Sequence, residues 1–259
     1  MKKIALTSLL AVFAAAGANA ANVIDGNPLY MPRTGHFYSE TALSSHSENT
    51  NMFMLGEEFG YGINDKLAIS GRTFVAEDEE FDAMAWGDMT LNAKYRVLDR
   101  GAWKLDLVGE YGVTPMWGDH RPFLAEEDTM YGWTAGVRGG YTTAQWTVAG
   151  HVMFTYGNSE SFNWGDEGMH MWTLGVDGQY VIDRNWNLVA GAEYTGYTDD
   201  GLKNAGEWEV ELGVNYNIDA TKYVGAYVSG GMHHHGGDNF DEWEWADGFG
   251  YGVKFGIDF

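Results

Sequence analysis

The sequence contains no cysteine and only 4 prolines in 259 residues. Disulfides and thiolate metal sites are therefore excluded. Cations are scarce: 15 Lys and Arg stand against 37 Asp and Glu, for a formal net charge of -22. A chain this acidic has no electrostatic attraction for nucleic-acid phosphates, so no nucleic-acid partner is expected. Long apolar runs are missing too. Past the first twenty residues no stretch approaches the ~18 consecutive apolar residues of a membrane-spanning helix. Phosphate loops and dinucleotide fingerprints are also absent. Glycine (36 residues) and aromatics (15%) are plentiful, and mean hydropathy is -0.30. That mixture suits many glycine-tolerant strands joined by turns.

Met1 to Ala20 reads as a processing segment. Lys2 and Lys3 form a basic start, Ile4 to Ala16 an apolar stretch, and Ala18-Asn19-Ala20 a small-residue cleavage site. Residues 1–20 are thus expected to be a cleaved signal peptide and the chain to be exported. Losing the two lysines takes the net charge from -22 to -24. Residues 21–35 carry turn residues and two prolines, which predicts an irregular lead lying inside or below the main unit, residues 36–259.

In that unit a pattern recurs: a strand ends on an aromatic, a short polar turn follows, and the next strand usually begins on another aromatic. The series is Tyr61 with Leu67, Tyr95 with Trp103, Tyr141 with Trp146, Tyr180 with Trp186, and Tyr216 with Tyr223. The intervening Asn-Asp and Asp-Arg-Gly segments have tight-turn chemistry. At their other ends the strands are joined by long acidic stretches, Ser44 to Thr50, Glu77 to Gly87, Pro115 to Thr129, Gly157 to Gly168, Thr198 to Gly206 and His233 to Asp247. Short and long connections alternate, as in an all-β, antiparallel up-and-down transmembrane β-barrel with short periplasmic turns and long extracellular loops; counting gives about twelve strands.

Side-chain parity supports this. Trp208, Val210, Leu212, Val214 and Tyr216 share one face opposite Glu207, Glu209, Glu211 and Asn215. Strands starting at Met89, Trp103 and Trp146 repeat the division, with aromatics at the ends of the apolar face, like the aromatic girdles of a lipid-facing wall. Tyr61, Tyr95, Trp103, Tyr141, Trp146, Tyr180, Trp186, Tyr216 and Tyr223 are the expected girdle. Two strands fit less well. Glu57 falls among Phe53, Leu55, Phe59 and Tyr61, which predicts a bulge near Gly56. Tyr223 to Met232 is apolar or small on both faces, and the first strand, near His36 to Leu43, has ambiguous parity.

The chain finishes on Tyr251, Val253, Phe255, Ile257 and Phe259, alternating with Gly250, Gly252, Lys254, Gly256 and Asp258. This resembles the C-terminal signal strand of Gram-negative outer-membrane β-barrels, which ends on a terminal Phe. The resemblance implies recognition by the outer-membrane assembly machinery and residence in the outer membrane among lipid and lipopolysaccharide.

With the apolar face toward lipid, the opposite face points inward. It would carry Arg72, Lys94, Arg96, Lys104 and Arg138 on one side and Asp177, Glu193, Glu207, Glu209 and Glu211 on the other, with Asp106, Glu110 and Lys254 also inside. Such a transverse arrangement resembles the constriction field of general porins. Inward glycines such as Gly136, Gly140, Gly252 and Gly256 are expected to leave space. The function expected is porin-like passive diffusion of small hydrophilic solutes with a mild cation preference. The alternative is a non-conducting structural or surface-interaction barrel that engages lipopolysaccharide or a partner through acidic runs such as Glu77-Asp78-Glu79-Glu80 and Glu126-Glu127-Asp128.

No enzyme chemistry, cofactor or metal is expected. His46-Ser47 is the sole adjacent histidine–serine pair, and His170 has no serine on its local face. His233-His234-His235 lie near Asp238, with His46 and His120 in other loops, but adjacent histidines on extended backbone point alternate ways and suit a solvated loop better than one ion.

Overall fold

A computed structural model describes residues 27–47, 53–78, 83–114, 130–159, 169–198, 205–234 and 243–259. The proposed signal peptide and the acidic run 126–128 lie outside these residues. So do Glu79, Glu80, His120, His235 and Asp238.

Among the described residues there is no helix. The strands are β1 (Phe37–His46), β2 (Phe53–Asn64), β3 (Leu67–Asp78), β4 (Ala83–Arg100), β5 (Trp103–Thr114), β6 (Met130–Thr142) and β7 (Trp146–Ser159). They continue with β8 (Met169–Val181), β9 (Trp186–Tyr197), β10 (Gly206–Asn217), β11 (Lys222–His234), the two-residue β12 (Glu244–Trp245) and β13 (Gly250–Asp258). Each of β1 to β11 pairs antiparallel with its successor, β13 pairs with both β11 and β1, and the ring closes. The result is a twelve-stranded antiparallel barrel, with β12 a short appendage on β11. Closure gives every spanning strand two hydrogen-bonded neighbours, which is what a sheet needs where no water can reach its edges.

Three of the five short turns share one device. A side-chain oxygen accepts hydrogen bonds from backbone N–H groups two and three residues ahead, as Asn64 does from Lys66 and Leu67, and Asp183 from Asn185 and Trp186. Thr143 does the same for Gln145 and Trp146. Asp219 binds Thr221 N–H, while Gly101, at φ 61°, makes the β4–β5 turn.

At the other end the strands run further than the sequence predicts. β3 reaches Asp78 and β4 begins at Ala83, so most of the expected loop 77–87 is sheet, paired Glu77 to Met84 and Asp78 to Ala83. β1 likewise extends to His46. Backbone pairing continues past the apolar band because the hydrogen-bond ladder does not depend on side-chain polarity.

The outer wall is apolar and exposed, with Leu91 at 61%, Leu212 at 56% and Val152 at 50%. Water would not tolerate a continuous band of this kind; hydrocarbon requires it. At the turn end it is bordered by Trp103 against Tyr141 (centroids 5.0 Å apart) and Trp186 against Tyr216 (4.9 Å). Trp133 with Tyr156 and Tyr194 with Trp208 border the loop end. The expected girdle residues Tyr61, Tyr95, Tyr141, Trp146 and Tyr180 lie on this outer face.

Tyr223 does not. It is 2% exposed and turned inward, its hydroxyl donating to Glu40 across the interior. Outward on β11 are Val224, Ala226 and Val228. The aromatic after the turn mimicked the girdle, but parity along the strand places it inside.

The bulge expected near Gly56 is also absent. β1 and β2 pair without interruption from Phe37–Tyr61 to Ser45–Phe53. Glu57 stays on the outer face. The register shift of β2 falls instead between Gly62 and Asn64, where the N-terminal segment docks. There Thr34 bridges to Gly62, Gly35 (φ 81°) donates to its carbonyl, and a Cβ on Gly62 would lie 2.1 Å from the Arg33 carbonyl oxygen.

Candidate functional site: the barrel interior

Alternate residues of every spanning strand point inward, so cross-strand register decides which charges meet. Arg96 and Asp106 are register partners on β4 and β5. Their side chains form a two-pronged ion pair, Nε to Oδ1 at 2.7 Å and Nη2 to Oδ2 at 2.9 Å. Arg72 meets Glu110 at 3.6 Å. Lys104 pairs with Asp99 in the β4–β5 hairpin. Arg138 lies 3.3 Å from Asp177, and His151 stands between two carboxylates, Nδ1 3.2 Å from Asp177 and Nε2 3.0 Å from Glu193. Lys254 reaches Glu211 at 3.2 Å and sits 4.4 Å above the Tyr227 ring.

All the charged residues expected inside do face inward, but the expected transverse division is incomplete. Asp106 and Glu110 stand on the basic flank and compensate it at short range. Asp106 is fully shielded, and Arg96, Arg138 and Glu193 nearly so; these four belong to packed ion networks and not to a water-contacting surface. Such networks hold their charges in place at the cost of desolvating them.

On the opposite flank Glu207 and Glu209 have no ion-pair partner among the described residues, and Glu209 lies directly across from Glu193. Like charges facing across a strand pair repel. Carboxylates are therefore in excess here.

The inward glycines do not leave the space expected of them. The Tyr223 ring lies over Gly256 so closely that a Cβ there would be 2.1 Å from it, and His151 covers Gly175 at 2.2 Å. Tyr38 does likewise over Gly60 and donates to Glu58 at 2.5 Å. Glycine on one strand thus makes room for a ring from the next.

The turn end of the interior is occupied by the N-terminal segment. Leu29 is 3% exposed, and its carbonyl accepts from Arg96 Nη2 at 2.6 Å. The Tyr30 carbonyl accepts from Lys94, and the Tyr30 hydroxyl donates to Asp258 at 3.3 Å. The two carbonyl contacts are not legible in the sequence, because backbone carbonyls leave no trace in composition or parity.

The remaining candidates are peripheral. Ser47 Oγ accepts from the Phe249 N–H at 2.8 Å. His170 packs outward against Phe154 and Tyr156. No group of three or more metal-ligating side chains occurs among the described residues.

Comparison with solved structures settles the architecture. A structure described as the NanC porin matches with TM-score 0.58 at 9% identity, over 86% of this chain and 98% of the other. An outer membrane channel from Pseudomonas putida F1 matches with TM-score 0.54 at 14% identity, over 92% and 100%. The KdgM porin gives 0.51 at 10% identity, over 86% and 99%. The fold is that of an outer-membrane β-barrel. No family model matches the chain, and no curated protein is significantly similar to it. At these identities the likeness concerns architecture alone. The C-terminal residues Tyr251, Val253, Phe255, Ile257 and Phe259 lie on the outer face of β13 and just beyond it, and Phe259 exchanges backbone hydrogen bonds with Phe37 where the barrel closes.

Proposed function

We propose that this barrel resides in the outer membrane after removal of a signal peptide, and serves as a porin-like channel for passive diffusion of small hydrophilic solutes, with a mild cation preference. One observation carries the reading. Each interior cation among the described residues is already engaged, Lys94 by a backbone carbonyl and Arg72, Arg96, Lys104, Arg138 and Lys254 by carboxylates, whereas Glu207 and Glu209 have no ion-pair partner among these residues. A surplus of fixed negative charge in a low-dielectric tube concentrates cations and repels anions. In this reading Glu207, Glu209, Glu211, Glu110, Arg72 and Lys254 line the path. The naming of several fold neighbours as porins or channels supports it.

A second reading, a closed barrel, is favoured by the N-terminal segment packed at the turn end, where Leu29 and Pro32 are buried. Swelling of vesicles reconstituted with the full chain separates the two. A porin admits small neutral sugars and admits small organic cations faster than anions of equal size. A closed barrel leaves the vesicles unswollen in every solute.

A further inference from the structure

The segment at the turn end is clamped at one end and inserted at the other. Residues 33–36 are the clamp. The Gly35 N–H donates to the Gly62 carbonyl at 2.7 Å, the Gly62 N–H donates to the His36 carbonyl at 3.0 Å, and the Thr34 hydroxyl donates to Asp65. Gly35 stands at φ 81° with nothing within 4 Å of where a Cβ would lie, so the bend between the segment and β1 is unobstructed. Residues 27–32 form an arm beyond the clamp. Pro28 and Pro32 fix φ on either side of Leu29 and Tyr30 and stiffen it. The arm belongs to no strand ladder, so withdrawing it breaks none. It is held through side chains: Arg96 on the Leu29 carbonyl, Lys94 on the Tyr30 carbonyl, and Asp258 on the Tyr30 hydroxyl.

We propose that residues 27–32 are a hinged plug, swinging about the clamp between an inserted state that narrows the turn end and a withdrawn state that widens it. As a gate on solute flow the plug rests on the channel reading; its movement does not. The inserted state leaves polar groups unsatisfied. Asn187, 1% exposed at the turn end of β9, has neither amide atom hydrogen-bonded among the described residues. Asp258 Oδ1, on the carboxylate that Tyr30 binds, accepts no hydrogen bond either. Buried polar groups without partners raise the free energy of the arrangement that buries them, and water entering on withdrawal relieves it. Arg96 keeps its pair with Asp106 in both states. Lys94 has no other hydrogen-bond partner among the described residues, so its bond to Tyr30 is the contact that insertion adds and withdrawal gives up. Opposing contributions of this kind suit a segment that moves about a few backbone positions.

The chain's lack of cysteine makes the test direct, because a single introduced thiol is the only one to react. Leu29→Cys in the full-length protein, held in lipid nanodiscs that leave both barrel ends open to water, is labelled with a water-soluble maleimide. Ala144→Cys in the exposed β6–β7 turn gives the rate of an open site. Leu29→Cys should react many times more slowly than Ala144→Cys, yet to completion, and adding Lys94→Met should speed it severalfold. Arg72→Met, whose partner is Glu110, should leave the rate unchanged. Heat-modifiable gel mobility shows that each barrel is folded. Labelling of Leu29→Cys as fast as Ala144→Cys, no labelling at all, or a rate indifferent to Lys94→Met would overturn the plug. In planar bilayers Lys94→Met should lengthen the time spent at a higher conductance level. Silent bilayers with the labelling difference intact would refute the channel and leave the hinged plug standing.

Discussion

The two flanks of the barrel interior handle buried charge in opposite ways. From β3 to β8 each inward arginine and Lys104 meets a carboxylate on another strand, Lys94 is held by the Tyr30 carbonyl, and the two-pronged pair of Arg96 with Asp106 is sealed from water. From β9 to β10 the carboxylates Glu193, Glu207 and Glu209 stand side by side, and among the described residues only Glu193 is ion-paired, with His151. The first flank is a structural wall that has to be complete. The second sets carboxylates side by side, where like charges repel.

Removing one partner from the complete flank should have the largest effect. Asp106→Ala strands the Arg96 guanidinium, and loss of a buried partner typically costs about 3–5 kcal/mol. Urea unfolding from lipid vesicles, followed by tryptophan fluorescence, should show that loss. Glu209→Ala in the same assay should be neutral or slightly stabilising; equal losses would erase the distinction between flanks.

Deleting residues 27–33 comes next. It removes the segment that occupies the turn end through Leu29 and Tyr30. Single-channel conductance should rise severalfold, and unchanged conductance would show that the ion path bypasses this segment.

Glu207→Gln combined with Glu209→Gln should move the reversal potential in a salt gradient toward zero. The shift should be larger in dilute salt than in concentrated salt, since the screening length falls from about 10 Å at 0.1 M to about 3 Å at 1 M.

The smallest effect belongs to the turns. The Thr221 N–H, then the Thr221 hydroxyl and the Lys222 ammonium, hold Asp219 down to about 2 from an ordinary 3.8. Because the folded value is the lower one, this contribution is present above the ordinary value and fades as pH falls toward 2. Asp219→Asn should be slightly less stable at neutral pH and should lose that part of the acid dependence; acid titrations of unfolding that superimpose on wild type would discount the turn.

How much of this was legible in the sequence depended on whether the signal was local. The row from Trp208 to Tyr216 announces its own orientation, because parity, girdle and strand length agree within one segment. The C-terminal strand does likewise. Tyr223 misled because it abuts a turn as girdle residues do, while both faces of its strand are apolar or small. Glu57 read as a defect requiring a bulge, since the hydroxyls that bind it lie on another strand. The pairing of Arg96 with Asp106 needed the register itself, and the docking of Leu29 and Tyr30 runs through backbone carbonyls that a sequence does not display.

A porin-like channel with a cation preference requires water-filled space inside the barrel that carries excess negative charge. The most direct test is the reversal potential of the wild-type protein in a planar bilayer across a KCl gradient. Steady open-channel steps with a cation-biased reversal potential are predicted. An anion-biased potential, or a silent bilayer containing demonstrably folded barrel, would contradict it.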